Sequence, residues 1–276
     1  MPARYHGIPC SSVRKKTPCR LFVKACMVTL QQRGLFMKVV AAVSQKGGAG
    51  KTTLCTELAV AAVSAGYRTI VFDLDPQASA GHWGDDRAGA APQVLAVPSS
   101  RLKVFLDQAA QQGADLLFLD TAPHASQIGV DAARAADLVL IPCKPSPRDA
   151  KAIGTSLSAV ADLTGTPAFV VVNEAKIGTS MIRMMDKALR EAGVKVCPVK
   201  LGDRVAFVSA LVTGQTATEY EPHGKAAGEV QKMWRWLARE LGLPASREAV
   251  QTPTRKNGKA ASCKTVNTVS RVAANT

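Results

Sequence analysis

The chain has 276 residues, 47% hydrophobic and only 5% aromatic, enough for one large domain or two small ones with an aliphatic core. Its formal charge of +14 sits at the ends: residues 1–36 hold seven Lys/Arg and no acid, residues 245–276 hold six against one acid, and 37–244 is left at +2. No apolar run is long enough to span a membrane, residues 1–36 lack the apolar core of a secretory signal, and the seven cysteines form no C-x-x-C pair, which speaks against membrane-spanning, signal-directed and zinc-ribbon classes and for free thiols in a reducing compartment.

In chain order, residues 1–36 are basic and irregular, with three competing readings: a disordered arm, a transit peptide, or an upstream region translated in error. The third is preferred, because Met37 is followed at once by the apolar run 39–43, which reads as a strand. Lys46-Gly47-Gly48-Ala49-Gly50-Lys51-Thr52-Thr53 comes next and leads into a helical pattern over 53–65, stopped by Gly66. Strand, glycine-rich loop and helix in that order make a phosphate cradle, in which backbone N–H groups wrap a polyphosphate at a helix N-terminus. Gly47, Gly48 and Gly50 let the backbone approach the phosphates, Lys51 is placed to neutralise the β/γ phosphates, and the Thr52 hydroxyl to ligate Mg²⁺; Ala49 and Thr53 complete the nucleotide-binding run.

Further apolar runs follow at 69–72, 94–97, 116–119, 138–141 and 168–172, short and continuous as befits strands buried on both faces. Helical patterns at 99–112, 125–136, 148–163 and 179–192 separate them, with Gly113 and Gly193 as stops. This alternation predicts an α/β fold: a mostly parallel twisted sheet flanked by helices. Residues 203–244 read as helical, and Val230, Met233, Trp234, Leu237 and Leu241 form one stripe that predicts a helix docked on the sheet. The aperiodic polar run 245–276 predicts a disordered tail, leaving 37–244 as the P-loop domain.

Phosphate chemistry needs acids at strand ends to hold a metal. Asp73 and Asp75 close the second strand and Asp120 the fourth, and ligands in open α/β sheets sit at the carboxyl ends of strands, so these acids converge on the loop. A second lysine, Lys46, opens the same loop. It cannot easily fold back onto oxygens already served by Lys51; if two subunits face each other, it can neutralise charge developing in the partner's site.

Lys-Gly-Gly-x-Gly-Lys-Thr-Thr followed by Asp73-Leu74-Asp75-Pro76-Gln77 resembles the ParA/MinD group of deviant Walker A P-loop ATPases. Asp120-Thr121-Ala122-Pro123, Leu140-Ile141-Pro142, Pro145-Ser146-Pro147, Asn173 and Gly214-x-Thr216-x-Thr218-Glu219 are similar to the ParA branch, over about residues 37–243, and to its small, ParF-like type. The resemblance implies ATP and Mg²⁺ as ligands, with Thr52, Asp73 and Asp120 at the metal. It implies Lys51 on the phosphates, Lys46 reaching across an ATP-bound homodimer, Asp75 orienting the attacking water, and Asn173 at the adenine.

The resemblance also implies a plasmid or chromosome partition ATPase, cytoplasmic and nucleoid-associated. Its ATP dimer would bind DNA without sequence preference, and a centromere-binding ParB/ParG-type partner would stimulate hydrolysis. Exposed Arg183, Lys187 and Arg190, at helical spacing, and Arg204 are the candidate DNA contacts. An ordinary solvated helix face explains the first three nearly as well. A MinD-like membrane regulator is the alternative; it would need an amphipathic helix at the very end, where this chain is polar, and no stable membrane association is expected. A nucleotide-gated DNA scaffold with negligible turnover is the non-enzymatic alternative, against which Asp75 and Asp120 argue.

Overall fold

Alternation with a period of two decides how the strands bury both faces. Val39, Ala41 and Val43 join one apolar cluster, while Val40 and Ala42 join another on the opposite side of the same backbone. The computed structural model describes residues 37–87, 90–123, 127–146, 153, 157 and 164–247. Among them, β1 (Lys38–Ala42), β2 (Thr69–Asp73), β3 (Gln93–Ala96), β4 (Leu116–Asp120), β5 (Leu138–Cys143) and β6 (Ala168–Val172) form one sheet in the order β3-β2-β4-β1-β5-β6. Every pairing is parallel, as the alternation of strands and helices predicts.

Strand β1 lies in the interior of the sheet, with Ala42 opposite Asp120 on one side and Leu140 on the other. The loop after β1 therefore emerges beside the end of β4, and Asp73 of β2 lies in register with Asp120.

Helices α1 (Lys51–Ser64) and α8 (Lys225–Glu240) cover one face of the sheet. Leu54, Leu58 and Ala62 of α1 pack there with Val230, Met233, Trp234 and Leu237 of α8, so the expected apolar stripe is the docked face of that helix. Two edge-to-face ring pairs, Tyr67–Trp234 and Phe169–Trp236, tie α8 down. Helices α3 (Leu102–Gln111), α4 (Gln127–Ala135) and α5 (Ser180–Glu191) cover the other face through Leu102, Ala109, Ala132, Ala133, Ile182, Met185 and Leu189. Helix α2 (Ser79–Asp86) lies along β2 and β3, and the short helices α6 (Val205–Leu211) and α7 (Ala217–Tyr220) precede α8.

Three expectations are refined. The run at 94–97 is an edge strand rather than one buried on both faces, and Leu95 is 42% exposed. The region 203–244 is broken into three helices at Gly214 and Gly224, where the chain turns. Parallel bridges Val170–Val196 and Ala175–Gly202 extend the sheet past β6, where the apolar pattern is too short to read as a strand. The helix expected over 148–163 falls almost wholly outside the described residues, as do 1–36 and 248–276; Ile153 and Leu157 within it are helical. Ala245 and Arg247, placed in the tail by sequence, are attached to the body: Trp234 Nε1 donates to the Ala245 carbonyl and Arg247 N to that of Ala65.

Candidate functional site: the phosphate loop and its acids

The loop between β1 and α1 takes its shape from what surrounds it. Gly50 sits at φ 95°, in the left-handed region, and its carbonyl accepts the first helical bond from Leu54 N. A Cβ at this position would lie 2.0 Å from Asn173 Nδ2, so both the backbone and the neighbour require glycine. That Asn173 amide donates to the Ala49 carbonyl at 3.0 Å. Thr121, just past β4, donates to the Ala42 carbonyl at 2.8 Å and fixes the strand end from which the loop departs.

Lys51 is buried at the start of α1. Burial pulls its pKa down, while the carboxylates of Asp120 and Asp75 push the other way. The Thr52 hydroxyl donates to Asp120 Oδ2 at 2.6 Å. Asp120 is fully buried, and burial, reinforced by Asp73 and Asp75, pushes its carboxyl up to about 7 against the opposing Thr52 hydrogen bond and Lys51 charge. Among the described residues its second oxygen, Oδ1, has no hydrogen-bond partner.

A buried carboxylate oxygen without a partner, on an acid already touching the loop hydroxyl, is what a divalent cation would satisfy. Among the described residues no cluster of three or more His, Cys, Asp or Glu forms a cage for a metal. Mg²⁺ keeps waters and takes phosphate oxygens alongside one or two protein ligands. Thr52 and Asp120 fit that role.

Asp73 is engaged elsewhere. Its Oδ1 accepts from Asp75 N and its Oδ2 from Gly81 N, each at 2.9 Å, so both oxygens organise the turn that follows β2. Asp75 is half-buried, and its Oδ1 accepts from Gln77 N. Lys46 is exposed on the outer part of the loop, while Lys51 of the same loop is buried. Thr53 is half-buried on α1.

The candidate DNA contacts lie on elements other than the phosphate loop. Arg183, Lys187 and Arg190 are exposed along α5. Arg190 is held by Asp186 at 2.9 Å, and Lys187 stands 3.7 Å from Glu191. Arg204, ahead of α6, is paired with Glu229 at 2.7 Å. Three of these four candidate cations are thus paired locally with an acid.

Two buried polar residues on the elements that flank the site are missed by the sequence reading. Glu57 of α1 accepts from Ala217 N at 2.8 Å, and Arg87 forms a two-pronged pair with Glu219. Glu57 lies on an otherwise apolar helix face, which is the one hint available.

The cradle, the paired strand-end acids and the parallel sheet define a P-loop nucleoside triphosphatase. The family described as the CobQ/CobB/MinD/ParA nucleotide binding domain matches residues 40–217. The chain belongs to that family, is a ParA/MinD-type ATPase, and uses ATP and Mg²⁺. It is 28% identical over 202 residues to a maintenance of carboxysome distribution protein A from Halothiobacillus neapolitanus, covering 69% of this chain and 91% of the relative. It is 30% identical over 187 residues to a protein ParA from Rhizobium radiobacter, covering 63% of this chain and 82% of that one. The fold resembles an ATP complex of a Cyanothece McdA variant, with a TM-score of 0.62 at 18% identity, covering 75% of this chain and 97% of the other.

Proposed function

We propose that this ATPase positions a large cargo within the cell by switching between an ATP-bound dimer that holds DNA and a released form. The observation that carries this reading is the opposite placement of the two lysines of one loop. Lys51 is buried beside Asp120, whereas Lys46 is exposed at the outer edge, where a facing subunit would meet it. Lys51 serves the nucleotide of its own subunit; Lys46 serves the partner's. Asp75, at the half-buried turn after β2, orients the attacking water. Asn173, which braces the loop through Ala49, contacts the adenine. Thr52 and Asp120 hold Mg²⁺, which supplies positive charge to the phosphate oxygens. Asp73 acts through the turn it holds.

The relatives favour two cargoes. One is named for carboxysome distribution and the other is a ParA, so the cargo is either a DNA replicon, through a centromere-binding ParB/ParG-type protein, or a protein-shelled body, through an adaptor. Both use non-specific DNA as the matrix and place the protein on the nucleoid. Among the described residues no helix is long and apolar enough to cross a membrane. Residues 37–247 form the ATPase unit, and the basic segments on either side add loose attraction to polyanions.

The deciding experiment is retention on DNA of arbitrary sequence with ATP or ADP over a salt series. ATP-dependent, salt-sensitive retention supports the switch. Equal retention with both nucleotides rules it out; where retention depends on ATP, tagging the neighbouring reading frame's product tells which cargo is moved.

A further inference from the structure

The segment Gly214–Glu219 joins two parts of the molecule that both end at the phosphate site. On one side is α1, whose first residues are Lys51 and Thr52. Glu57, two turns along it, accepts from Ala217 N at 2.8 Å. On the other side is α2, which begins just after Asp73 and Asp75. Trp83 Nε1 donates to the Gln215 carbonyl at 3.3 Å. Arg87, directly after α2, donates from Nη1 to the Gly214 carbonyl at 2.9 Å and grips both oxygens of Glu219 at 2.8 and 2.9 Å. Its guanidinium also stacks 4.6 Å over the Trp83 ring.

The junction leaves no slack. Gly214 has φ 63°, and a Cβ there would come within 2.7 Å of the Asp86 backbone carbonyl. Glu219 is itself fixed, because it accepts from Thr216 N at 2.8 Å and closes a capping box with Thr216. At its near end, α2 starts from a strained turn. Ala78 occupies the left-handed region at φ 51°, and Asp73 holds the turn through the amides of Asp75 and Gly81. A non-glycine residue in that region persists only where its surroundings over-determine it.

We propose that Arg87 and Glu219 are positioning residues for ATP hydrolysis: their two-pronged pair, in which the Arg87 side chain is buried and Glu219 is part-buried, fixes α2, and with it the Asp73–Ala80 turn, against the helix that carries Lys51 and Thr52. Arg87 is 3% exposed at its side chain, and paired charge-assisted bonds of this kind set orientation as well as energy. Loosening the pair lets the turn drift relative to the phosphate loop without touching either nucleotide contact. Displacement of about 1 Å at a reacting group is enough to slow a reaction substantially. The inference rests on the ATPase activity and on Asp75 acting at the phosphate end.

The test uses the full chain with Arg87→Lys and, separately, Glu219→Gln, which keeps an oxygen for Thr216 N. Three quantities are read: affinity for a fluorescent ATP analogue, single-turnover hydrolysis with protein in excess, and amide exchange. The expected result is a roughly tenfold slower turnover with affinity held within about twofold. Exchange should quicken at Asp75, Gln77 and Gly81 while Leu117–Leu119 stay protected. Wild-type turnover in both variants overturns the proposal, and so does exchange that rises evenly through the sheet, which marks a purely structural pair. Absence of turnover in the unmodified chain counts against the ATPase reading instead, and the exchange pattern then decides the role of the pair alone.

Discussion

Asn173 donates its side-chain amide to the carbonyl of Ala49 across 3.0 Å, stitching the end of β6 to the phosphate loop over 124 residues of chain. The same amide is what forbids a side chain at Gly50. Asn173→Ala should cost about 1 kcal/mol of stability for the missing hydrogen bond and weaken ATP binding modestly. Gly50→Ala should lose ATP binding altogether, because the clash and the positive φ act together. Isothermal titration with ATP checks both; a Gly50→Ala protein that binds ATP normally would show that the loop is looser than described.

Lys46 and Lys51 should separate in their effects. Lys51→Ala should abolish nucleotide binding. Lys46→Ala should bind ATP but neither dimerise nor hydrolyse it, as read by light scattering and phosphate release. Normal hydrolysis by Lys46→Ala removes the argument for a composite site.

Asp120→Ala should slow Mg²⁺-dependent hydrolysis by roughly a hundredfold, since several kcal/mol of charge stabilisation depend on the metal it holds with Thr52. Thr52→Ala should act in the same direction and leave the fold intact, because the hydroxyl faces the site. The check is turnover against Mg²⁺ concentration. Insensitivity of the Asp120→Ala protein would reassign the metal to other groups.

Glu57 gives the folded state a pH dependence of its own. Burial lifts its carboxyl from 4.5 to about 8, opposed by the Ala217 N–H and reinforced by Glu219. The folded pKa is raised, so this contribution is fully present below the unfolded pKa and is lost as pH rises through about 8. Glu57→Gln keeps an oxygen for Ala217 N and cannot ionise. It should match the parent in thermal unfolding below about pH 4 and exceed it above pH 8, by a margin on the order of a few kcal/mol. A parent whose stability is flat across that window refutes the shift.

Arg183 and Lys187 are the cations to test first for DNA, because Arg204 is held by Glu229 and Arg190 by Asp186. Replacing both with Glu should reduce ATP-dependent DNA retention and flatten its salt slope by about one unit for each phosphate no longer neutralised. Basal hydrolysis should stay unchanged. Arg204→Ala should instead lower stability, because it removes the guanidinium partner of Glu229 and leaves it only the Gly202 N–H. Retention unaffected by the double change would move the DNA surface off α5.

The cradle and the sheet are legible because each is written locally. Strands buried on both faces show as unbroken apolar runs such as 116–119, and a phosphate loop must place its glycines and lysine at fixed offsets. What stays hidden depends on distance. Arg87 and Glu219 stand 132 residues apart, and nothing in either neighbourhood marks the other. Asp73 reads as a metal acid from its position at a strand end, yet both its oxygens go to backbone amides, a choice made by the turn that follows it. The exposed face of β3 does not show in the sequence, because an edge strand and a central one share the same residues over so short a run.

The place of β1 in the sheet also governs how the protein is made. Its partners are Leu116–Asp120 on one side and Leu138–Leu140 on the other. At about 5–20 residues per second, a ribosome that has finished β1 needs roughly 4–15 s more to supply its first neighbour. For that interval the strand has no partner in the sheet, and the nascent chain carries an unpaired apolar segment that chaperones can bind. A nascent chain that ends before β4 thus displays the full phosphate-loop sequence while lacking the platform that would shape it.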